Sequence, residues 1–178
     1  MMGAGKVLAF LGGLLTLVGT YVFAIYGVGG YVASGIGFFL NLFGAGVAIP
    51  GLFEGASGYA ALIGVDVIVY WVLLILFIVF LISGILQFVG VKSRAVAFIF
   101  SLFPLVVGVM LILVFFTTIL GPISGFFTLT FIGEQYGSIF PFMINLGNYV
   151  GVDVGLGGFI ILAGGLLGLI SAFLKRED

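Results

Sequence analysis

The stretch that decides the fold is VIVYWVLLILFIVFLISGILQFV (67–89), GVKSR (90–94) and AVAFIFSLFPLVVGVMLILVFFTTIL (95–120). Two long apolar runs flank a short turn, and Lys92 and Arg94 are the only charges in the whole stretch. At about 1.5 Å per residue, either run exceeds a hydrocarbon core of roughly 30 Å. Neither shows the strict alternation of a barrel strand, and both are too long for one. Lipid leaves backbone groups no water to bond, so helices are expected.

Working outward, two more runs of this kind appear, Val7–Val28 and Leu156–Leu174. None of the four contains Asp, Glu, Lys or Arg. The 178-residue chain is 63% hydrophobic and only 6% charged, against about 25% charged residues in soluble domains. So few polar groups cannot cover a water-facing surface of this size. The expectation is an all-α membrane protein: one domain, residues 1–178, folded as a four-transmembrane-helix bundle. Lys6 before an apolar run also fits a cleaved signal peptide. The run is longer than a usual h-region and no small-x-small cleavage site follows it, so a retained span is expected.

The charges orient the bundle. With four crossings, Lys6, Lys92, Arg94, Lys175 and Arg176 fall on one side. Basic residues favour the cytoplasmic side, so both termini are expected there, in a multi-pass protein of the plasma membrane. Glu54, Asp66, Glu134 and Asp153 fall on the other side. So do Tyr21, Tyr26, Tyr31, Tyr59, Tyr70, Trp71, Tyr136 and Tyr149, which suit a one-sided aromatic belt.

Much chemistry is excluded by composition. Cysteine and histidine are absent. That removes disulfides, thiol chemistry and the usual general base. No ionisable group stands inside a span to serve a proton or ion path. A net charge of −1 gives no case for nucleic-acid binding. No enzyme activity, cofactor or metal is expected. Asp66 and Asp153, just before the second and fourth spans, read as helix N-caps. The other reading groups them with Glu54 and Glu134 around Ca²⁺, without EF-hand spacing.

The halves 1–90 and 91–178 look duplicated. An offset of 88 matches Gly37-Phe38-Phe39 to Gly125-Phe126-Phe127 and Leu81-Ile82-Ser83 to Leu169-Ile170-Ser171. A shift of 87 matches Gly64-Val65-Asp66-Val67 to Gly151-Val152-Asp153-Val154. A parallel repeat places its two-fold axis along the membrane normal and sets the two outer loops side by side.

Those loops, Gly29–Asp66 and Gly121–Asp153, exceed the length at which connections usually carry structure or function. They are expected to form a small extracellular cap, built of strands, short interfacial helices or re-entrant turns. Thr128 and Thr130 alternate with apolar residues and favour a strand. Phe38, Phe39, Phe43, Phe126, Phe127 and Phe131 form either the core of that cap or an exposed face for a partner. Within the spans, Gly5, Ala9 and Gly13, with Gly164 and Gly168, have the four-residue spacing that lets helices approach closely in lipid. Pro104 is expected to kink the third span or mark its start.

Four spans, inner termini, two outer loops and a short inner turn resemble the layout of claudins, tetraspanins and MARVEL-type proteins. The resemblance covers the whole chain as layout. The cysteine motifs of claudins and tetraspanins are missing, and the single tryptophan, Trp71, lies at the start of a span. The Ile/Val/Gly-rich, cysteine-free texture resembles a prokaryotic, archaeal-type tetraspan. The layout implies a non-enzymatic scaffold for lateral assembly, adhesion or membrane organisation. It would meet the lipid bilayer along its helices and copies of itself or other membrane proteins through its outer loops. The alternatives are an accessory subunit of a larger membrane complex, and a small channel or carrier.

Overall fold

The computed structural model describes residues 3–28, 31–48, 50–121, 123–135, 143–144 and 153–175. Four helices are long and apolar enough to cross a membrane: α1 (Ala4–Tyr21), α4 (Val67–Val89), α5 (Arg94–Phe116) and α7 (Leu156–Phe173). Between them lie β1 (Tyr26–Val28), β2 (Tyr31–Ala33), α2 (Gly35–Leu42), α3 (Ala56–Ile63), α6 (Ile123–Thr130), β3 (Ile132–Gln135), β4 (Met143–Ile144) and β5 (Asp153–Gly155). The chain is a mostly helical, multi-pass membrane protein by length and composition of these helices.

The long helices form a ring in the order α1, α4, α5, α7, each antiparallel to its neighbours. The contacts establish the directions. Gly13 packs on Gly84 and Gln87, and Gly84 on Leu17. Gly12 packs on Gly164 and Gly168, while Gly19 packs on Gly157 and Ile161. Gly108 meets Leu162, and Gly165 meets Leu105. The Gly5 amide donates to the Lys175 carbonyl at 3.3 Å, closing the ring at the end opposite the sheet.

Away from the sheet the ring is inverted relative to a soluble bundle, whereas toward the sheet Leu74, Phe77, Phe80, Leu111 and Phe115 fill its interior. Phe10, Leu14, Val72, Ile75, Ile85, Val106 and Ile170 face outward, all exposed. Gly12, Gly13, Gly164, Gly165 and Gly168 face inward with Thr16, Gln87, Ser101 and Ser171. Large apolar side chains gain nothing by leaving lipid, so the interior goes to residues that allow backbone contact. Helix α7 is the centre of this arrangement. A methyl on Gly164 would lie 2.6 Å from Thr16 Oγ1 and 2.7 Å from the Thr16 nitrogen. One on Gly168 would lie 2.7 Å from Ser101 Cβ on the opposite neighbour. Only glycine lets α7 touch α1 and α5 together.

At the other end, both long loops share one five-stranded antiparallel sheet, in the order β3-β2-β1-β5-β4. The β1–β2 hairpin comes from the first loop and is flanked by strands from the second half. Tyr26 pairs with Ala33 and with Val154. The first span therefore ends at Tyr21, not Val28. Val22 and Phe23 both donate to the Val18 carbonyl, and Ile25 then donates to Ala33. Residues 24–28 are as apolar as a span, but their hydrogen bonds belong to the sheet. The third span stops at Phe116, not Leu120. There the Thr117 hydroxyl donates to the Leu113 carbonyl at 2.6 Å and accepts from the Ile119 amide.

Three other expectations are corrected. Thr128 and Thr130 lie in α6, not in a strand. Their hydroxyls fold back on the Gly125 and Phe126 carbonyls, the helical pattern, and Phe126, Phe127 and Thr130 bury one face. Asp153 is not a helix N-cap: it lies in β5, paired with Gly27, and Gly155 holds the N-cap of α7. The Ala24 carbonyl accepts from the Gly157 amide at 2.9 Å, supplying from the chain what a capping side chain would. The two GVDV segments thus differ, since Asp66 is the N-cap of α4 and accepts from the Ile68 amide at 2.7 Å. Finally, Pro104 does not mark the start of the third span: α5 begins at Arg94, capped by Ser93, and continues through it.

Gly164→Val is expected to destabilise the bundle by about 2 kcal/mol, the scale of overpacking a close contact. Leu166→Val, on the exposed side of the same helix, is expected to stay within about 0.5 kcal/mol. Reversible unfolding in mixed micelles measures both.

Candidate functional site

The cap closes the sheet end of the ring with aromatic rings. Phe77 of α4 stands at the centre, with ring centroids 5.3 Å from Phe126, 5.0 Å from Phe127, 5.4 Å from Phe131 and 6.0 Å from Phe38. All five are buried. These phenylalanines are core, held in edge and tilted contacts worth more than their area alone. Of the six loop phenylalanines singled out by sequence, only Phe39 and Phe43 are exposed, at 55% and 67%.

Asn41 ties the two loops together, a role that sequence patterning did not single out. It is fully buried on α2. Its Nδ2 donates to the Thr130 carbonyl at 2.9 Å and the Ile132 carbonyl at 2.5 Å, and its Oδ1 accepts from the Ala48 amide at 3.0 Å. The signal was a lone amide inside GIGFFLNLF, since a buried amide must find several partners. The Tyr26 hydroxyl likewise donates across the loops, to the Phe127 carbonyl. Burial raises that phenol well above its usual pKa, so it stays a neutral donor.

Of the described members of the expected aromatic belt, Tyr26 and Tyr70 are buried, Tyr21 and Tyr59 are half-buried, and Tyr31 and Trp71 are exposed. Tyr21 donates to Leu81, Tyr59 to Pro50 and Tyr70 to Leu52. The exposed aromatic feature is different. Phe39, Phe43, Phe53 and Trp71 form a continuous ledge, with successive centroids 5.6, 5.9 and 6.1 Å apart. It runs from α2, across the loop before α3, onto the first turns of α4.

A second polar centre lies inside the ring. Gln87 of α4 is buried, and its Nε2 donates to Thr16 Oγ1 of α1 at 3.3 Å and to the Phe100 carbonyl of α5 at 3.2 Å. The Phe100 contact has a covalent cause. Phe100 precedes Pro104 by four residues, and proline has no N–H to give it. Gln87 supplies the missing donor. Its Oε1 has no hydrogen-bond partner among the described residues and faces the backbone of Gly168. Thr16, Thr20, Ser83, Ser101 and Ser171 each donate to a carbonyl of their own helix three or four residues back.

The other sequence candidates are spread out. Gly5, Ala9 and Gly13 are buried on α1, and Gly164 and Gly168 on α7. Lys6, Lys92, Arg94 and Lys175 stand at the end opposite the sheet; Arg176, Tyr136 and Tyr149 lie outside the described residues. Glu54 and Asp66 are exposed on the sheet side. Among the described residues, no group of three or more acidic residues is placed to hold a metal. No family model matches the chain, and comparison with curated proteins and with solved structures finds no match.

The Gln87 link predicts coupling with Pro104. Gln87→Leu should destabilise the native chain, and less so in a Pro104→Ala background, where residue 104 can serve Phe100 itself. A double-mutant cycle of unfolding free energies in micelles should give a coupling of about 1 kcal/mol.

Proposed function

We propose that this chain is a non-enzymatic tetraspan scaffold of the plasma membrane that assembles laterally through the ledge of Phe39, Phe43, Phe53 and Trp71. The observation that carries the reading is the division of the loop aromatics. Phe38, Phe126, Phe127 and Phe131 are consumed by the cap's own core, whereas these four are exposed in one contiguous row. A row of rings on a rigid support suits packing against another protein, since aromatic anchors dominate interface energetics. In this reading both termini lie in the cytoplasm and the cap outside, which the gathering of Lys6, Lys92, Arg94 and Lys175 at the end opposite the sheet supports.

Two further observations support a structural role. The polar groups inside the ring are turned onto carbonyls of their own helices, and glycine contacts bring the backbones together around them. That interior suits rigidity rather than passage of a solute. The order of elements also suits a duplicated ancestor: long helix, short GFF helix and long helix recur as α1–α2–α4 and α5–α6–α7. In this reading the repeats 1–90 and 91–178 divided their labour, and only the first carries the ledge.

A photo-crosslinking residue placed singly at Phe39 or Phe43 tests the proposal in native membranes. The expected product is an adduct of twice the chain mass, reduced at least about fivefold by Phe53→Asp or Trp71→Asp. Monomer alone, or dimer unchanged by those substitutions, would remove the reading. Adducts of one other fixed mass would favour an accessory subunit over self-assembly.

A further inference from the structure

The ring is not equally tight all round. Helices α4 and α5 are pinned at their turn, where a methyl on Gly90 would lie 2.8 Å from Ala97 Cα. Beyond that pin they have no glycine contact like those of α7, and a crevice opens between them. It has a volume of about 300 Å³ and presents no polar surface. Leu73 and Phe77 of α4 line it, with Ile99, Phe103, Val106 and Met110 of α5. Phe77 is buried at its floor, while Ile99 and Val106 are half-exposed at its rim. The crevice therefore faces the lipid and lies within the hydrocarbon zone of both spans.

We propose that this crevice is a binding site for an anionic glycerophospholipid, one acyl chain lying between α4 and α5 and the phosphate held at Lys92 and Arg94. The lining residues are all apolar, so the crevice takes an occupant that is apolar along its length. Its volume suits a flexible chain and matches the small end of ligand cavities. From Ile99 to Met110 the lining follows α5 for about 16 Å, comparable to one leaflet of a roughly 30 Å core. Charge complementarity fixes the headgroup. Lys92 and Arg94 are exposed at the same end of the same helix pair, about 8 Å along α5 from Ile99. Two such basic residues attract an anionic headgroup over a zwitterionic one. The inference rests on the chain spanning a membrane. It needs neither the assembly through the ledge nor the cytoplasmic placement of the termini.

The test uses the full chain purified in mild detergent, with native mass spectrometry as the readout and phosphatidylglycerol and phosphatidylcholine as probes. The expected result is one retained phosphatidylglycerol per chain, bound at least about fivefold more tightly than phosphatidylcholine. Lys92→Gln with Arg94→Gln should remove that preference while leaving weak binding of both lipids. Val106→Trp should fill the crevice and lower binding of both, while Ile170→Trp, on the exposed side of α7, should not. A thermal melt shows whether Val106→Trp is folded; if it is not, the Lys92 and Arg94 pair of exposed substitutions decides the matter. Equal affinity for the two lipids, or binding unaffected by a folded Val106→Trp variant, would overturn the proposal. So would a crevice substitution that abolishes a dimer and leaves lipid bound. Failure of the ledge crosslink leaves these results unchanged, so the two readings fail separately.

Discussion

Backbone contact along α7 is the interaction on which the rest of the structure depends. In water, helices associate because their apolar faces leave solvent. In lipid those faces are already solvated, and dispersion between close backbones must hold the ring together. Gly157, Gly164 and Gly168 bring α1 close, while Gly165 and Gly168 bring α5 close. Ordinary side chains on α7 would push both neighbours away. The fourth seam, between α4 and α5, lacks this device except at Gly90, and the apolar crevice opens there.

Close packing also shapes the polar interior. A buried hydroxyl or amide in lipid must be paired, and the serines and threonines are paired within their own helices. Gln87 reaches across instead, because Pro104 leaves the Phe100 carbonyl without its helical donor. Such a link sets the register of α4 against α5 more sharply than apolar contact does. At the opposite end Asn41 and Tyr26 serve the same purpose for the cap, joining the first loop to the second through main-chain carbonyls. The described parts of the two loops are therefore one structure, and a surface on it is carried by the whole bundle.

The four spans were legible because few structures besides a membrane helix accommodate so long an uninterrupted apolar run. Boundaries were legible where a polar side chain marks them, as Asp66 does. The end of α1 was not, because Ala24 to Gly27 are apolar for a different reason: they are buried beneath the cap and lead into strand β1. The Gly29-Gly30 pair between Tyr26–Val28 and Tyr31–Ala33 was a hairpin signal that the apolar run concealed. Eight-residue segments such as Ile123–Thr130 satisfy helix and strand patterns alike, and tertiary burial of Phe126 and Phe127 decides for helix. Which loop phenylalanines are exposed was not legible, since Phe38 and Phe39 differ only in which way a short helix turns. The Gln87–Pro104 relation needs the register of two antiparallel helices, and no local pattern contains it.

The seam between α1 and α7 is open to direct measurement. Solid-state NMR of the uniformly labelled protein in lipid bilayers should show a through-space correlation between Gly12 Cα and the Gly168 amide nitrogen. The account predicts that cross-peak at short mixing time, because a methyl on Gly12 would lie 2.7 Å from that nitrogen. A well-resolved helical spectrum in which the peak is missing, with Gly12 correlated only to lipid, would contradict it.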